Sequence, residues 1–301
     1  MYEQHFGLME RPFALTPDTG YFFNYKDHQE ALNVLLVALR SGEGFLKVTG
    51  EVGTGKTLLC RKLLNSLGED WVTAYVPDPF LEPEALRRAL ADELGLQLED
   101  SASQHQLVKR LHETLIDLAA QGKRVVLCID EAQALSNESL EAIRLLSNLE
   151  TEKRKLLHVV LFGQPELNTR LDDPAIRQLK QRISFSYHLN PMSRDGVRDY
   201  LHHRLGVAGY NGAPLFREAA VKRIHAASGG VPRLVNILAH KALMVAYGEG
   251  VRDVRARQVR LAVTDTEGAL HVGPRYWALW LTALLLAAAA GGWVSWRGLG
   301  G

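Results

Sequence analysis

The chain has 301 residues, 35 of them basic and 34 acidic, for a formal net charge of +1. That length suffices for a full α/β core and a smaller second domain. The balanced charge leaves no polyanion-binding tail or stripe, so nucleic acid is not the default partner. The two cysteines, Cys60 and Cys128, have neither metal nor disulfide spacing, which fits a reducing compartment.

In chain order, Met1-Tyr2-Glu3-Gln4-His5 carries no basic n-region or apolar h-region, so no cleavable signal peptide is predicted. Residues 1–25 read as a linker segment. Over 26–41, Leu32, Leu35, Leu36 and Leu39 fall at i, i+3, i+4 and i+7 before Gly42, which predicts a helix. The β-prone run Gly44-Phe45-Leu46-Lys47-Val48-Thr49 then enters Gly50-Glu51-Val52-Gly53-Thr54-Gly55-Lys56-Thr57, and helical Leu58–Leu64 follows. This is a complete G-x-x-x-x-G-K-[ST] loop in its strand–loop–helix context, and it predicts ATP or GTP. The glycines let backbone N–H groups wrap phosphates while the helix presents its positive end to the anion. Lys56 is expected on the β- and γ-phosphates and the Thr57 hydroxyl on Mg²⁺.

Beyond Gly68 the pattern predicts a strand at 71–76 and helices at 83–94 and 104–120, closed by Gly95 and Gly122. His112-Glu113-Thr114-Leu115-Ile116 opens like a zinc-protease helix, but Ile116 stands where the second His is needed, so no zinc site is predicted. Val125-Val126-Leu127-Cys128-Ile129 suits a parallel strand buried on both faces. It ends in Asp130-Glu131, two carboxylates that are costly there unless a cation waits. Asp130 is therefore expected to hold Mg²⁺ with Thr57, through water. Glu131 is expected to polarise the attacking water, the step that separates a hydrolase from a passive binder. A helix follows at 137–149, then a strand at 156–164 ending in Gln164, where a γ-phosphate sensor belongs.

Residues 174–181 predict a short helix leading to Arg182, just ahead of the alternating strand Ile183–Leu189. An arginine there can reach the nucleotide of a neighbouring subunit. After the junction at Asn190-Pro191 strand signals stop, and helices are predicted near 193–206, 215–227, 232–247 and 255–264. Gly229-Gly230-Val231-Pro232-Arg233 opens the third, with Arg233 in its first turn as a second phosphate sensor. Alternating strands and helices followed by helices alone argue a parallel, doubly covered sheet with a small helical lid.

Trp277 to Trp296 runs twenty residues without a charge, with Trp277, Trp280, Trp293 and Trp296 near its ends. As a helix rising about 1.5 Å per residue it would span roughly 30 Å, the hydrocarbon thickness of a bilayer with aromatic belts. Arg257, Arg260 and Arg275 precede it and Arg297 follows, so the large domain is expected in the cytoplasm.

These motifs, together with Phe6-Gly7-Leu8, Arg11-Pro12-Phe13, Pro17-Asp18 and His28-Gln29-Glu30-Ala31-Leu32, resemble the AAA+ ATPases of the general secretion pathway protein A (ExeA) type. Within that group His5-Phe6-Gly7-Leu8, Gly44–Gly53 and Val72–Pro77 look most like the MshM-type ATPases of mannose-sensitive haemagglutinin (MSHA) pilus biogenesis. The resemblance covers roughly residues 1–265. It implies an α/β P-loop NTPase fold (AAA+, ASCE) with strand order 5-1-4-3-2, a nucleotide-binding domain over 26–190 and a lid over 191–268. A juxtamembrane segment at 269–276, a transmembrane helix at 277–296 and a short tail at 297–301 complete the expected organisation. The tail is too short for the periplasmic peptidoglycan-binding domain of the secretion relatives.

By the same resemblance the cofactors are ATP and Mg²⁺. The partners are further copies of the chain and inner-membrane pilus or secretion assembly proteins, and the location is the bacterial inner membrane. His28 is open between an adenine contact and a structural role. Two other readings share the core motifs: a DNA-associated regulator like the transposition target-selection ATPases, and a nucleotide-dependent scaffold that hydrolyses slowly.

Overall fold

The computed structural model describes residues 2–77, 80–97, 99, 103–150 and 154–270. Helix α1 (Tyr2–Phe6) begins the chain, and α2 (Lys26–Arg40), β1 (Phe45–Gly50) and α3 (Lys56–Ser66) follow. Next come β2 (Trp71–Val76), α4 (Pro83–Glu93), α5 (Gln104–Ala120), β3 (Arg124–Ile129) and α6 (Asn137–Leu146). The α/β unit closes with β4 (Leu157–Gly163), α7 (Glu166–Leu171), α8 (Arg177–Lys180) and β5 (Ile183–Leu189). A helical unit of α9 (Arg194–Val207), α10 (Glu218–Ser228), α11 (Pro232–Gly248) and α12 (Ala256–Thr264) completes the described chain.

All strand pairs are parallel and their order is β2-β3-β4-β1-β5, as the family resemblance implied. The period of two decides which helices cover which face. Val125, Leu127 and Ile129 of β3 face a core built with Leu86, Leu90, Leu107, Leu111 and Leu115 of α4 and α5. Val126 and Cys128 face the other side, against Leu35 and Leu39 of α2 and Leu59, Cys60 and Leu63 of α3. Both cysteines are free and buried in this second core.

The third core belongs to the helical unit, and it corrects the reading of residues 1–25 as a linker. Tyr2, Phe6, Leu8 and Phe13 are buried among Val197, Leu201, Leu238 and Leu243. The Tyr2 hydroxyl bonds His240 Nδ1 at 2.8 Å, and the Met9 amide donates to Ala208 O at 2.8 Å. Five helical residues followed by an irregular stretch show no period, so the pattern carried no sign of this burial. Past Phe13 the segment crosses to the α/β unit, where Arg61 Nη1 donates to Pro17 O at 3.1 Å and Phe22 enters the α2/α3 core.

Smaller differences have local causes. Helix α6 stops at Leu146, three residues early, where Ser147 turns its hydroxyl back to Arg144 O at 2.7 Å. The run 174–181 divides into a 3-10 turn, Pro174–Ile176, capped by Asp173, and α8. Helix α7 was not predicted; six residues are too few to display a face. Residues 271–276 of the juxtamembrane segment, the apolar run 277–296 and the tail lie outside the described residues. Among the described residues no helix is long and apolar enough to cross a membrane.

Candidate functional site

Parallel strands deliver their carboxyl ends to one edge of the sheet, and the motif residues meet there. The loop 50–57 leaves β1, Asp130 and Glu131 leave β3, and Gln164 leaves β4. Thr49 is level with Gly163, and Ile129 with Leu161, so the three exits lie side by side. Arg182 is not brought into this group. It precedes β5, whose Ile183 is level with Phe45 at the start of β1, so the length of a strand, about 20 Å at 3.3 Å per residue, separates it from the loop. It is exposed and donates to Ser147 Oγ at 3.3 Å.

The loop needs glycine at two points. Gly53 and Gly55 have φ of +82° and +97°, left-handed values that favour glycine. Thr54 turns inward and donates its hydroxyl to Glu51 O at 2.8 Å. His28, on α2, bonds Thr54 O through Nε2 at 2.8 Å. It therefore braces the loop backbone; its Nδ1 is buried without a partner. Burial drives its pKa down against the pull of that carbonyl, so the ring is neutral and Nε2 carries the proton.

Lys56 is 4% exposed, and its Nζ donates to Gly50 O at 2.8 Å and Glu51 O at 3.1 Å. Burial lowers its pKa, opposed by the charges of Glu131 and Asp130. Thr57 Oγ1 donates to Asp130 Oδ2 at 2.5 Å, joining residues 73 positions apart. Burial raises the Asp130 carboxyl, opposed by the Thr57 and Glu131 N–H bonds. Glu131 sits in the left-handed region at φ +49°, the one non-glycine among the described residues to do so. Its Oε2 accepts from Gln133 Nε2 at 2.6 Å and from Gln164 Nε2 at 3.1 Å. Burial pushes this carboxyl up, but the two amides and Lys56 outweigh it and hold the group below its ordinary range.

The lid touches the loop directly. The Arg233 amide donates to Gly53 O at 3.2 Å, and a Cβ placed on Gly53 would lie 2.6 Å from Arg233 Cβ. Between lid and loop lies a cavity of about 390 Å³ lined by Gly53, Lys56, Thr57, Glu131 and Arg233. Leu15, Pro17, Tyr200, Arg204 and Asn236 close its far end.

The sequence matches the AAA domain family over residues 39–171. General secretion pathway protein A of Aeromonas hydrophila is 40% identical over 305 residues, covering 100% of this chain and 55% of that protein. The chain thus carries an AAA domain and resembles general secretion pathway protein A along its whole length. It spans about half the length of that relative. Among solved structures, Cdc6p of Pyrobaculum aerophilum superposes with a TM-score of 0.64 at 18% identity, over 82% of this chain and 70% of that one. The Aeropyrum pernix ORC1 protein in complex with DNA gives 0.62 at 19%, over 85% and 69%. At those identities the likeness concerns the fold alone.

The donor set suits the cofactors that an AAA domain implies. A hydroxyl and a carboxylate in contact are the hard oxygen ligands that Mg²⁺ takes alongside phosphate oxygens. Among the described residues no cluster of three or more His, Cys, Asp or Glu side chains could hold a metal by itself. Sequence reasoning missed Gln133, Tyr200, Asn236 and Arg204. Arg204 had a signal: it falls on the apolar stripe Val197, Tyr200, Leu201, Leu205 of α9, where a charge is out of place. Gln133 is a polar residue between two alanines, two positions beyond Glu131, and only the fold shows what it reaches.

Proposed function

We propose that this ATPase is tethered to the bacterial inner membrane, with its nucleotide domain in the cytoplasm. Its hydrolysis cycle would support assembly of a type IV pilus of the MSHA kind or a type II secretion-like apparatus. The observation that carries the hydrolytic part is the Thr57–Asp130 contact at 2.5 Å with Glu131 oriented beside it. The likeness to general secretion pathway protein A supports the secretion context. The twenty uncharged residues from Trp277 to Trp296 support the tether.

In this reading Lys56 exchanges its loop carbonyls for the β- and γ-phosphates, and the N–H groups of residues 53–57 wrap them. Thr57 and, through water, Asp130 would hold Mg²⁺, which would supply charge neutralisation on the phosphates. Glu131, ionised because its amide partners favour the carboxylate, takes a proton from the attacking water. Gln164 and Arg233 read the γ-phosphate from the sheet and from the lid. Loss of that contact on hydrolysis frees the lid, which is the switching step. Arg182 belongs to the neighbouring copy's nucleotide, which makes the working form a homo-oligomer.

The test is affinity purification of the Glu131→Gln protein from membranes in ATP and Mg²⁺, with Lys56→Ala as the nucleotide-free control. Glu131→Gln should bind ATP and stall, and Lys56→Ala should not bind. Inner-membrane pilus or secretion components should be captured by the first and not the second. Capture of DNA or a transposase would refute the assembly role.

A further inference from the structure

Glu131 is held by two glutamines, and they are not equivalent. Gln133 Nε2 approaches Oε2 at 2.6 Å and Gln164 Nε2 approaches the same oxygen at 3.1 Å. The other end of the Gln133 amide is occupied as well: its Oε1 accepts the Gln164 backbone N–H at 2.9 Å. That bond settles which end of the amide is oxygen. The Gln133 backbone is also pinned, because Arg170 Nη1 donates to its carbonyl at 2.9 Å, and Ala134 N closes the turn on Glu131 O at 2.9 Å. The Gln164 amide oxygen has no such anchor among the described residues. Glu131 Oε1 likewise meets no protein donor there, so one carboxylate oxygen is clamped and the other is left for water.

We propose that Gln133 is the positioning residue that keeps Glu131 aimed during turnover, when Gln164 turns to the γ-phosphate. The proposal rests on the reading of Glu131 as the base and Gln164 as the phosphate sensor. A sensor that also carried the base would have to choose between two anions. Gln133 removes that conflict, since it donates to the carboxylate while its own oxygen tracks the sensor through the Gln164 N–H. The base and the sensor are thereby linked through one side chain.

The experiment compares the full chain with Gln133→Met, which keeps the size and removes both polar ends, and with Gln133→Glu. The second variant keeps an acceptor for the Gln164 N–H but replaces the donor with a like charge. Steady-state ATP hydrolysis should fall by about 10- to 100-fold in kcat, the loss of one hydrogen bond to a charged group. The Kd for a fluorescent ATP analogue should stay within about twofold, since ground-state binding is untouched. A kcat that falls while the Kd holds marks a positioning residue; one that merely supports the fold would worsen both and lower the melting temperature. An unchanged kcat, or a loss confined to nucleotide affinity, overturns the proposal. Glu131→Gln is measured in parallel: if that variant turns over normally, the base reading itself falls. If it stalls while both Gln133 variants run normally, only the role of Gln133 falls.

Discussion

Gly53→Ala tests whether the lid and the phosphate loop act as one device. The substitution carries two costs of different kind. The first is conformational: φ at Gly53 is +82°, and an L side chain there costs about 1–2 kcal/mol in any state that keeps the loop's shape. The second is paid only when the lid is docked. The new methyl would stand 2.6 Å from Arg233 Cβ and 3.3 Å from Val231 Cγ1, and Cβ atoms beside a helix backbone cannot swing aside. The lid must retreat, which stretches the Arg233 N–H···O Gly53 bond now at 3.2 Å and forfeits about 1 kcal/mol more. The first cost is borne with and without nucleotide and lowers stability alone; the second, about 1 kcal/mol, falls on the docked form and weakens ATP binding by about fivefold at 1.4 kcal/mol per decade.

The assay is titration of a fluorescent ATP analogue, with melting temperature followed with and without nucleotide. Arg233→Gly and the double variant complete a cycle that isolates the docked-state cost. Removing the Arg233 Cβ should make Gly53→Ala less harmful by about 1 kcal/mol, a coupling expected of side chains in contact. ATP binding by Gly53→Ala within twofold of the parent, or strict additivity in the cycle, would refute the reasoning.

Three further outcomes are expected. His28, His158, His203 and His240 all have pKa values lowered by burial, so the unfolded chain takes up protons below about pH 6.5 that the folded chain refuses. Stability should therefore fall as pH drops from 7 to 5, and His28→Gln should flatten the slope; a melting temperature constant over that range would contradict it. Arg204 is 5% exposed, lies over the Tyr21 ring and donates to the carbonyls of Pro12 and Ala14 at 2.5 and 3.3 Å. Arg204→Ala should cost about 2–4 kcal/mol and open residues 8–25 to proteolysis, with Lys failing to substitute because it lacks the planar fork. Arg182→Ala should leave ATP affinity intact and abolish any rise of specific ATPase activity with protein concentration; a rate that climbs with concentration in this variant would remove Arg182 from the neighbouring site.

Much of the fold was legible because its signals are local or periodic. The apolar run 125–129, the stripes of α2 and α5 and the glycine loop each announce their element without reference to the rest of the chain. The strand order was not in the pattern, since a buried parallel strand looks alike at any central position; it came from family likeness and the sheet agrees with it. The missed residues share a different cause. Gln133 matters through a carboxylate two residues back and an amide 31 residues on, and Tyr2 through a histidine 238 positions away. A side chain's hydrogen-bond partners depend on which strands are neighbours, and no period in the chain encodes that.

Sequence alone therefore determined the chemistry on offer: a phosphate-wrapping loop, a lysine, a threonine, and a carboxylate pair at the end of a buried strand. Tertiary structure decided how that chemistry is arranged. It set Thr57 against Asp130, clamped one oxygen of Glu131, left Arg182 at the far edge of the sheet, and folded the first residues into the lid. Residue type fixes which bonds a group can make, but a bond a few ångströms long forms only where the packed backbone brings distant positions within reach.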